Sequence, residues 1–141
     1  LNEAKSKMPL FFDFEKIITE FIELNIKIQF LADNNIEIAI GTAANTAWPI
    51  NFLTNDKLIH FFGHPANIVG ADRVEKTKPA PDIFLKAAGD TPVAQCLVVE
   101  DTQVCADAAI EVGMKAVLLG DSSVKTSAMP IKKLEDIFEL L

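Results

Sequence analysis

The sequence predicts an α/β domain with a mostly parallel sheet. From residue 36 onward, short apolar runs bounded by turn residues alternate with segments that have the periodicity of helices. Such alternation is typical of parallel strands joined by right-handed helical crossovers. The 141 residues, 50% of them hydrophobic, are enough for one domain with a sizeable core.

These patterns predict the individual elements in chain order. The strands are expected at 36–40, 67–70, 96–99 and 116–119, and the helices between them at 46–56, 81–88 and 103–112. Asn45 is a suitable N-cap for the first helix, because its side chain can accept a backbone hydrogen bond. Proline fits the first turn of a helix, which places Pro81 at the start of the second helix. Gly89 and Gly113 are expected to end the second and third helices.

Two further segments have the apolar spacing of amphipathic helices, residues 10–24 and 131–138. In the first of them, the apolar residues on one helical face are Leu10, Phe14, Ile17, Ile18 and Phe21. The pattern predicts a helical N-terminal segment at residues 1–35, followed by an α/β core at residues 36–141.

Composition argues against two classes of partner. The formal net charge is −7, from 20 acidic and 13 basic residues, which disfavours binding to nucleic acid and to anionic membranes. No apolar run approaches the roughly 20 residues of a membrane span. The negative net charge does not exclude a ligand that contains phosphate, because a bound cation would make the electrostatic potential at the binding site positive.

The cysteines and histidines do not form a metal-binding pattern. Cys96 and Cys105 lie within apolar patterns, which predicts buried thiols in a reducing, cytoplasmic compartment. His60 lies in an apolar cluster and His64 in a turn, and neither has a Cys or carboxylate at the spacing of a zinc site.

The most informative stretch runs from Lys78 to Met114. It begins with a lysine in a proline-rich loop that opens a helix, KPAPDIF, and continues with an acidic pair, Glu100-Asp101, at the end of LVVED. Carboxylates just beyond a buried strand lie where open α/β sheets bind ligands. Together with the earlier stretch IAIGTAAN, which ends a predicted strand at Thr42, these motifs resemble the haloacid dehalogenase-like hydrolases. The resemblance is greatest to the branch of β-phosphoglucomutase and the sugar-phosphate phosphatases.

The resemblance implies a three-layer, Rossmann-like core without a cap domain. It implies Mg²⁺ as cofactor, held by Glu100 and Asp101. By the same resemblance, Lys78 steadies the phosphoryl group and the hydroxyl of Thr42 binds it. The implied substrate is a small phosphorylated metabolite, whose phosphoryl group passes to an aspartate side chain.

The nucleophile is the part of the family pattern that the sequence lacks in clear form. The family's DxDGT motif is absent, and only Leu10–Ile18, LFFDFEKII, resembles a degenerate version of it. That match makes Asp13 the nucleophile and Glu15 the general acid and base. The competing interpretation is the amphipathic helix predicted for the same residues, as a remnant of the cap.

The family's strand order raises a question about the sheet. A central strand normally lies between the strands that end at Thr42 and Glu100, and a gap there would leave backbone groups unpaired. Residues 8–12 can fill the gap, or the neighbouring strands can pair directly. A strand from another chain can also enter, which would give a homodimer by strand exchange.

Two functions follow as expectations. The first is a Mg²⁺-dependent phosphohydrolase, a phosphatase or phosphomutase-like enzyme that is either compact or truncated. The alternative is a catalytically inactive binding or oligomerisation module on the same fold. A phospho-receiver domain is disfavoured, because such domains end soon after their lysine, whereas this chain continues from Lys78 to Leu141.

Overall fold

The structure is a computed structural model that describes residues 10–12, 33–55, 59–62, 65–120, 128–133 and 136–137. Its strands are β1 (Leu10–Phe12), β2 (Ile38–Gly41), β3 (Ile68–Val69), β4 (Leu97–Glu100), β5 (Lys115–Leu119) and β6 (Met129–Ile131). Its α-helices in the described ranges are α1 (Ala47–Asn55), α2 (Asp82–Ala88) and α3 (Gln103–Glu111). Short 3₁₀ helices occupy Ile59–Phe62, Pro65–Asn67, Ala71–Arg73 and Val93–Gln95.

The six strands form one sheet in the order β3-β2-β1-β4-β5-β6. Every neighbouring pair is parallel, so the carboxyl ends of all six strands meet at the same edge. Each residue of β2 and of β4 is buried. Such continuous apolar runs are typical of strands covered on both faces of a parallel sheet. The predicted α/β class with a parallel sheet is confirmed.

Alternate residues of the strands supply two separate cores, one on each face of the sheet. Ile38 and Ile40 pack in a cluster with Leu53 of α1. The residue between them, Ala39, faces a second cluster that contains Phe84 of α2 and Ala106 of α3. Because successive side chains of a strand point to opposite faces, this division follows directly from the period of two. The result is the predicted arrangement of three layers, helix, sheet and helix.

The helix predicted for residues 10–24 is wrong at its start, because Leu10–Phe12 form the central strand β1. This strand pairs with β2 on one side and β4 on the other, with Phe12 opposite Ile40 and Val99. A strand of three apolar residues has no alternation of polar and apolar residues, so the helical period that continues beyond it in the sequence hid the strand. The rest of the predicted helix lies outside the described residues.

The position of β1 answers the question about the gap in the sheet. Strand β1 of the same chain lies between β2 and β4. This is the first of the three predicted arrangements, in which residues 8–12 fill the gap. The backbone N–H and C=O groups of β2 and β4 that face β1 therefore do not need a strand from a second chain. A homodimer formed by strand exchange stays a prediction.

The helix predicted for residues 131–138 is also wrong at its start, although the described residues Asp136 and Ile137 near its end form a 3₁₀ turn. Ile131 ends strand β6, where it pairs with Leu119. Pro130, which lacks a backbone donor, is tolerated here because β6 is the last strand of the sheet. The Asp136 carboxylate then accepts hydrogen bonds from the backbone N–H groups of Lys132 and Lys133, at 3.2 and 3.1 Å. These bonds hold the chain in a bend where the apolar period suggested a helix.

The predicted boundary between residues 35 and 36 stays a prediction. The described segment on its N-terminal side, β1, belongs to the same sheet as the strands beyond it. Over the ranges that the structure describes, no helix combines the length and the apolar character that crossing a membrane requires.

Candidate active site

The predicted site residues lie at the carboxyl edge of the sheet. Thr42 directly follows β2, Glu100 is the last residue of β4, and Asp101 comes next in the chain. Strand β1 runs between β2 and β4, and adjacent strands are roughly 4.8 Å apart, so the backbones of β2 and β4 are roughly 10 Å apart.

A buried ion pair joins Lys78 and Glu100. The Lys78 ammonium donates to Glu100 Oε2 at 2.7 Å, and the two side chains are 6% and 0% exposed. The ammonium also lies 5.1 Å from the centre of the Phe84 ring, a distance suited to a cation–π contact. The structure therefore brings together two residues that the sequence placed 22 positions apart.

The loop that carries Lys78 is ordered by its own backbone before α2 begins. The Ala80 N–H donates to the Thr77 carbonyl at 3.1 Å and closes a turn around Lys78 and Pro79. The peptide bond between these two residues is cis. At the start of α2, the Leu85 N–H donates to the carbonyl of Pro81 at 3.0 Å, which starts the helix at the predicted proline.

The acidic pair presents carboxylate oxygens at the end of β4. Glu100 is fully buried, and its Oε1 accepts the Asp101 backbone N–H at 3.2 Å. Both carboxylate oxygens of Asp101 are buried as well. Hard oxygen donors of this kind fit the ligand preference of Mg²⁺. The described residues contain no group of three or more His, Cys, Asp or Glu side chains that could hold a metal ion.

Thr42 is held at the end of β2 with its side chain fully buried. Its backbone N–H donates to the Val69 carbonyl at 3.0 Å, which extends the pairing of β2 with β3 by one residue. Its hydroxyl oxygen accepts the Ala44 N–H at 3.1 Å. That bond uses a lone pair of the hydroxyl and leaves its proton available for donation. The geometry is compatible with a hydroxyl that donates to a phosphoryl oxygen.

The predicted nucleophile, Asp13, lies outside the described residues, as does Glu15. Asp13 is the next residue in the sequence after Phe12, the last residue of β1. The register puts Phe12 level with Ile40 and Val99, one residue before Gly41 and Glu100. The central strand thus ends at the level of the site. The role of Asp13 stays a prediction.

The comparisons with known proteins begin with a family model. Residues 10–119, which include β1 through β5, match the model of the haloacid dehalogenase-like hydrolases. The chain belongs to this family.

Individual relatives of this haloacid dehalogenase-like chain agree with the family match. The chain is 39% identical over 82 residues to the fructose-1-phosphate phosphatase YqaB of Escherichia coli (strain K12), an alignment that covers 57% of this chain and 42% of YqaB. The structure of β-phosphoglucomutase from Clostridium difficile matches with a TM-score of 0.69 at 25% identity, over 82% of this chain and 53% of that one. The chain thus spans about half the length of these relatives or less.

An isolated core domain matches over more of its length. This is the core domain of a protein assigned as a phosphoglycolate phosphatase from Streptococcus pneumoniae TIGR4, with a TM-score of 0.72 at 17% identity. The match covers 95% of this chain and 94% of that domain. At this identity the comparison shows the haloacid dehalogenase-like fold, and the three-layer core predicted from the sequence is confirmed.

The sequence did not indicate a second hydrogen-bonded pair at this edge, buried Thr46 with exposed Asp72. The Asp72 carboxylate accepts hydrogen bonds from the Thr46 backbone N–H at 2.6 Å and from its hydroxyl at 2.8 Å. The backbone hydrogen bond, together with the hydroxyl bond, holds the pKa of Asp72 below its ordinary value. The only sequence signal for this pair is that Asp72 follows the two apolar residues of β3 within three positions. Acidic residues are too common in loops for this position to indicate a function.

A cavity of about 590 Å³ lies at the opposite edge of the haloacid dehalogenase-like core. It opens beside the amino ends of β2, β3 and β4. Its lining residues are Asn35, Glu37, Ala66, Asn67, Lys86, Ala87, Ala88, Gly89, Asp90, Thr91 and Pro92. None of the predicted site residues lines it.

Proposed function

We propose that this chain is a Mg²⁺-dependent phosphohydrolase, a phosphatase or phosphomutase-like enzyme. It acts on small phosphorylated metabolites through an aspartyl-phosphate. The observation that carries the proposal is the buried ion pair of Lys78 and Glu100 at the carboxyl edge of the sheet. The similarity to a fructose-1-phosphate phosphatase and to a β-phosphoglucomutase supports the substrate class.

Lys78 neutralises the charge of the phosphoryl group. An ammonium has three N–H donors, and the bond to Glu100 Oε2 uses one of them. In a site that excludes water, its positive charge acts on a phosphoryl oxygen more strongly than it would in solvent. The bond to Glu100 fixes the position of this ammonium while no substrate is bound.

Thr42 orients the phosphoryl group from the opposite side. Its hydroxyl oxygen is fixed by the Ala44 N–H, so the proton can be donated to a phosphoryl oxygen. Since phosphoryl transfer requires mainly positioning and charge stabilisation, a fixed donor and a fixed cation on two flanking strands are suited to it.

Glu100 and Asp101 are the residues that would hold Mg²⁺. Their buried carboxylates have the hard oxygen donors that this ion prefers. When bound, the ion would supply positive charge against the phosphoryl oxygens and the attacking carboxylate.

Asp13 is the nucleophile of the proposed reaction. A carboxylate oxygen of Asp13 forms a bond to phosphorus as the bond to the leaving oxygen breaks, and Glu15 gives that oxygen a proton. Water then attacks the phosphorus of the aspartyl-phosphate while Glu15 accepts a proton from the water. The bond between phosphorus and the Asp13 oxygen breaks, which releases phosphate and regenerates the Asp13 carboxylate. Support for Asp13 comes from its place in the sequence, one residue after the central strand β1.

A cytoplasmic location is part of the proposal. Its support is that Cys96 and Cys105 are both free and buried, as thiols in a reducing compartment are expected to be.

The test is Mg²⁺-dependent release of phosphate from a generic aryl phosphate. The unaltered chain is compared with its Asp13→Asn variant, with and without a chelator. Asp90→Asn provides the matched control, because Asp90 is exposed and lies at the opposite edge of the sheet. We expect turnover that needs Mg²⁺, falls by about a thousandfold or more in Asp13→Asn and persists in Asp90→Asn.

Other results would change the assignment. Turnover that survives in Asp13→Asn would remove Asp13 as the nucleophile. No turnover in a folded, unaltered chain would overturn the enzyme and leave the inactive binding or oligomerisation module.

A further inference from the structure

Two loops at the carboxyl edge are bonded into one unit. The first follows β2 and comprises residues 42–46, and the second follows β3 and comprises residues 70–73. The Ala71 N–H donates to the Ala44 carbonyl at 2.9 Å, and the Gly70 N–H donates to the Thr46 hydroxyl oxygen at 2.8 Å. The predicted phosphate-binding residue, Thr42, begins the first loop.

Asp72 completes this unit with a carboxylate. The Thr46 hydroxyl accepts from Gly70 and donates to Asp72 Oδ1, while the Thr46 backbone N–H donates to the same oxygen. Thr46 is 2% exposed, so the carboxylate satisfies a donor that would otherwise be buried without a partner. Bonds to an ionised acceptor are also stronger than bonds between neutral groups.

The two loops approach each other at the distance of backbone contact. A Cβ atom added to Gly70 would lie 2.4 Å from the Thr46 nitrogen and 2.5 Å from the Ala44 carbonyl oxygen. Only glycine permits this approach without a shift of the backbone. The first loop is therefore held at both ends, by the bond from Thr42 to Val69 and by the bonds from Thr46 to Asp72.

We propose that Asp72 is a positioning residue, which fixes loop 42–46 through Thr46 so that the Thr42 hydroxyl meets the phosphoryl group in one orientation. The inference rests on the proposed function, since it assigns Asp72 a role in the same site. Asp72 itself does not touch the substrate. Asp72 affects turnover only through loop 42–46. A small displacement of the Thr42 hydroxyl is enough to lower the rate of phosphoryl transfer substantially.

Three variants and a control separate positioning from general stability. Asp72→Ala removes the acceptor, Asp72→Asn keeps an acceptor oxygen without the charge, and Thr46→Val removes the hydroxyl. Glu75→Ala is the matched control, because it removes an exposed carboxylate from the same connection between β3 and Lys78.

We expect kcat/KM for an aryl phosphate to fall by about tenfold to a hundredfold in Asp72→Ala. Asp72→Asn should recover part of this loss, and Glu75→Ala should match the unaltered chain. Urea unfolding, measured on each variant, corrects for any loss of folded protein. Loss of activity that only follows loss of folded protein would overturn the inference.

Amide hydrogen exchange and binding of inorganic phosphate test the inference without turnover. The Thr46 and Ala71 amides should exchange faster in Asp72→Ala, and inorganic phosphate should bind about tenfold more weakly. Unchanged exchange at Thr46, or faster exchange with unchanged phosphate binding, would overturn the role of Asp72 alone. No turnover and no phosphate binding in the unaltered chain would overturn the proposed function instead.

The charge state of Asp72 gives a further readout. Its lowered pKa means that the bonds from Thr46 are present above the ordinary pKa of an aspartate and are lost as the pH falls through the lower, folded-state pKa. Arg73 is the charged neighbour that acts in the same direction. The Thr46 amide signal should therefore titrate below the ordinary range of aspartate, and this titration should be absent in Asp72→Asn. Its persistence in that variant would contradict the assigned contact.

Discussion

The two edges of the sheet differ in what they bury. Besides the side chain of Lys78, the buried polar side chains among the described residues are Thr42, Thr46 and Glu100, and all three lie at the carboxyl edge. The amino edge has the cavity of about 590 Å³, but exposed side chains such as Lys86 and Asp90 line it. Burying a polar group costs free energy unless it is bonded, so a concentration of bonded, buried groups marks a site more specifically than an open concavity does.

The largest effect should come from breaking the ion pair of the carboxyl edge. Glu100→Gln leaves the buried Lys78 ammonium without its counter-charge, and we expect the free energy of unfolding to fall by about 3–5 kcal/mol. Glu37→Gln, the same exchange at an exposed residue of the amino edge, should cost less than about 0.5 kcal/mol. Urea unfolding of both variants measures the difference.

A double variant provides the control for this prediction. Lys78→Met with Glu100→Gln removes both charges, so it should recover part of the stability lost in Glu100→Gln. Equal losses in Glu100→Gln and Glu37→Gln would show that the two edges do not differ in this respect.

At the amino edge, the informative titratable group is a cysteine just before β4. Burial raises the pKa of Cys96 to about 11. At pH 8 the thiolate fraction, and with it the rate of alkylation, should be about a hundredfold lower than for an ordinary thiol. In a Cys105→Ala background, iodoacetamide should modify Cys96 slowly in the folded chain and at an ordinary rate in urea. Rapid modification of the folded chain would contradict the burial of this thiol.

Gly70→Ala tests the close approach of the two loops at the carboxyl edge. The added methyl group would meet backbone atoms of Ala44 and Thr46, which cannot move away as the end of a side chain can. We expect a loss of about 1–3 kcal/mol in the free energy of unfolding, together with faster amide exchange at Thr46. Unchanged stability and exchange would indicate that the loops can separate at little cost.

The smallest effect is expected from the amino edge cavity. Lys86→Ala and Asp90→Ala alter exposed side chains, so each should change the free energy of unfolding by less than about 0.5 kcal/mol and leave phosphate release unchanged. A marked loss of phosphate release in Lys86→Ala would move the functional site to this edge.

Strands β2 to β5 were predictable because each lies in an apolar run that ends at a turn, whereas β6 was not predicted. The predicted strands at 96–99 and 116–119 are β4 and β5 to within one residue at each end. The central strand β1 was not predictable in this way, since three apolar residues have no period of their own. Its place in the sheet depends on long-range pairing with β2 and β4.

Residues of the candidate site were predictable only where a motif is continuous in the sequence. Thr42, Lys78 and Glu100 each lie in a recognisable stretch. The structure places Thr42 and Glu100 at the ends of β2 and β4, with Lys78 bonded to Glu100. Thr46 and Asp72 are 26 residues apart in two loops, and neither loop has a pattern that indicates the other. Their contact results from the parallel pairing of β2 with β3, which carries the loops to the same edge.

The three residues of β1 have a consequence for cooperativity. In the described sheet, β3 and β2 form one half, β4, β5 and β6 form the other, and β1 supplies the only backbone ladder between them. Thr42 belongs to the first half-sheet and Glu100 to the second. Fraying of β1 would therefore uncouple the two halves and separate Thr42 from Glu100, the residue that pairs with Lys78. We expect the candidate site to assemble only when the sheet closes, so partially folded forms that lack this ladder should not contain it.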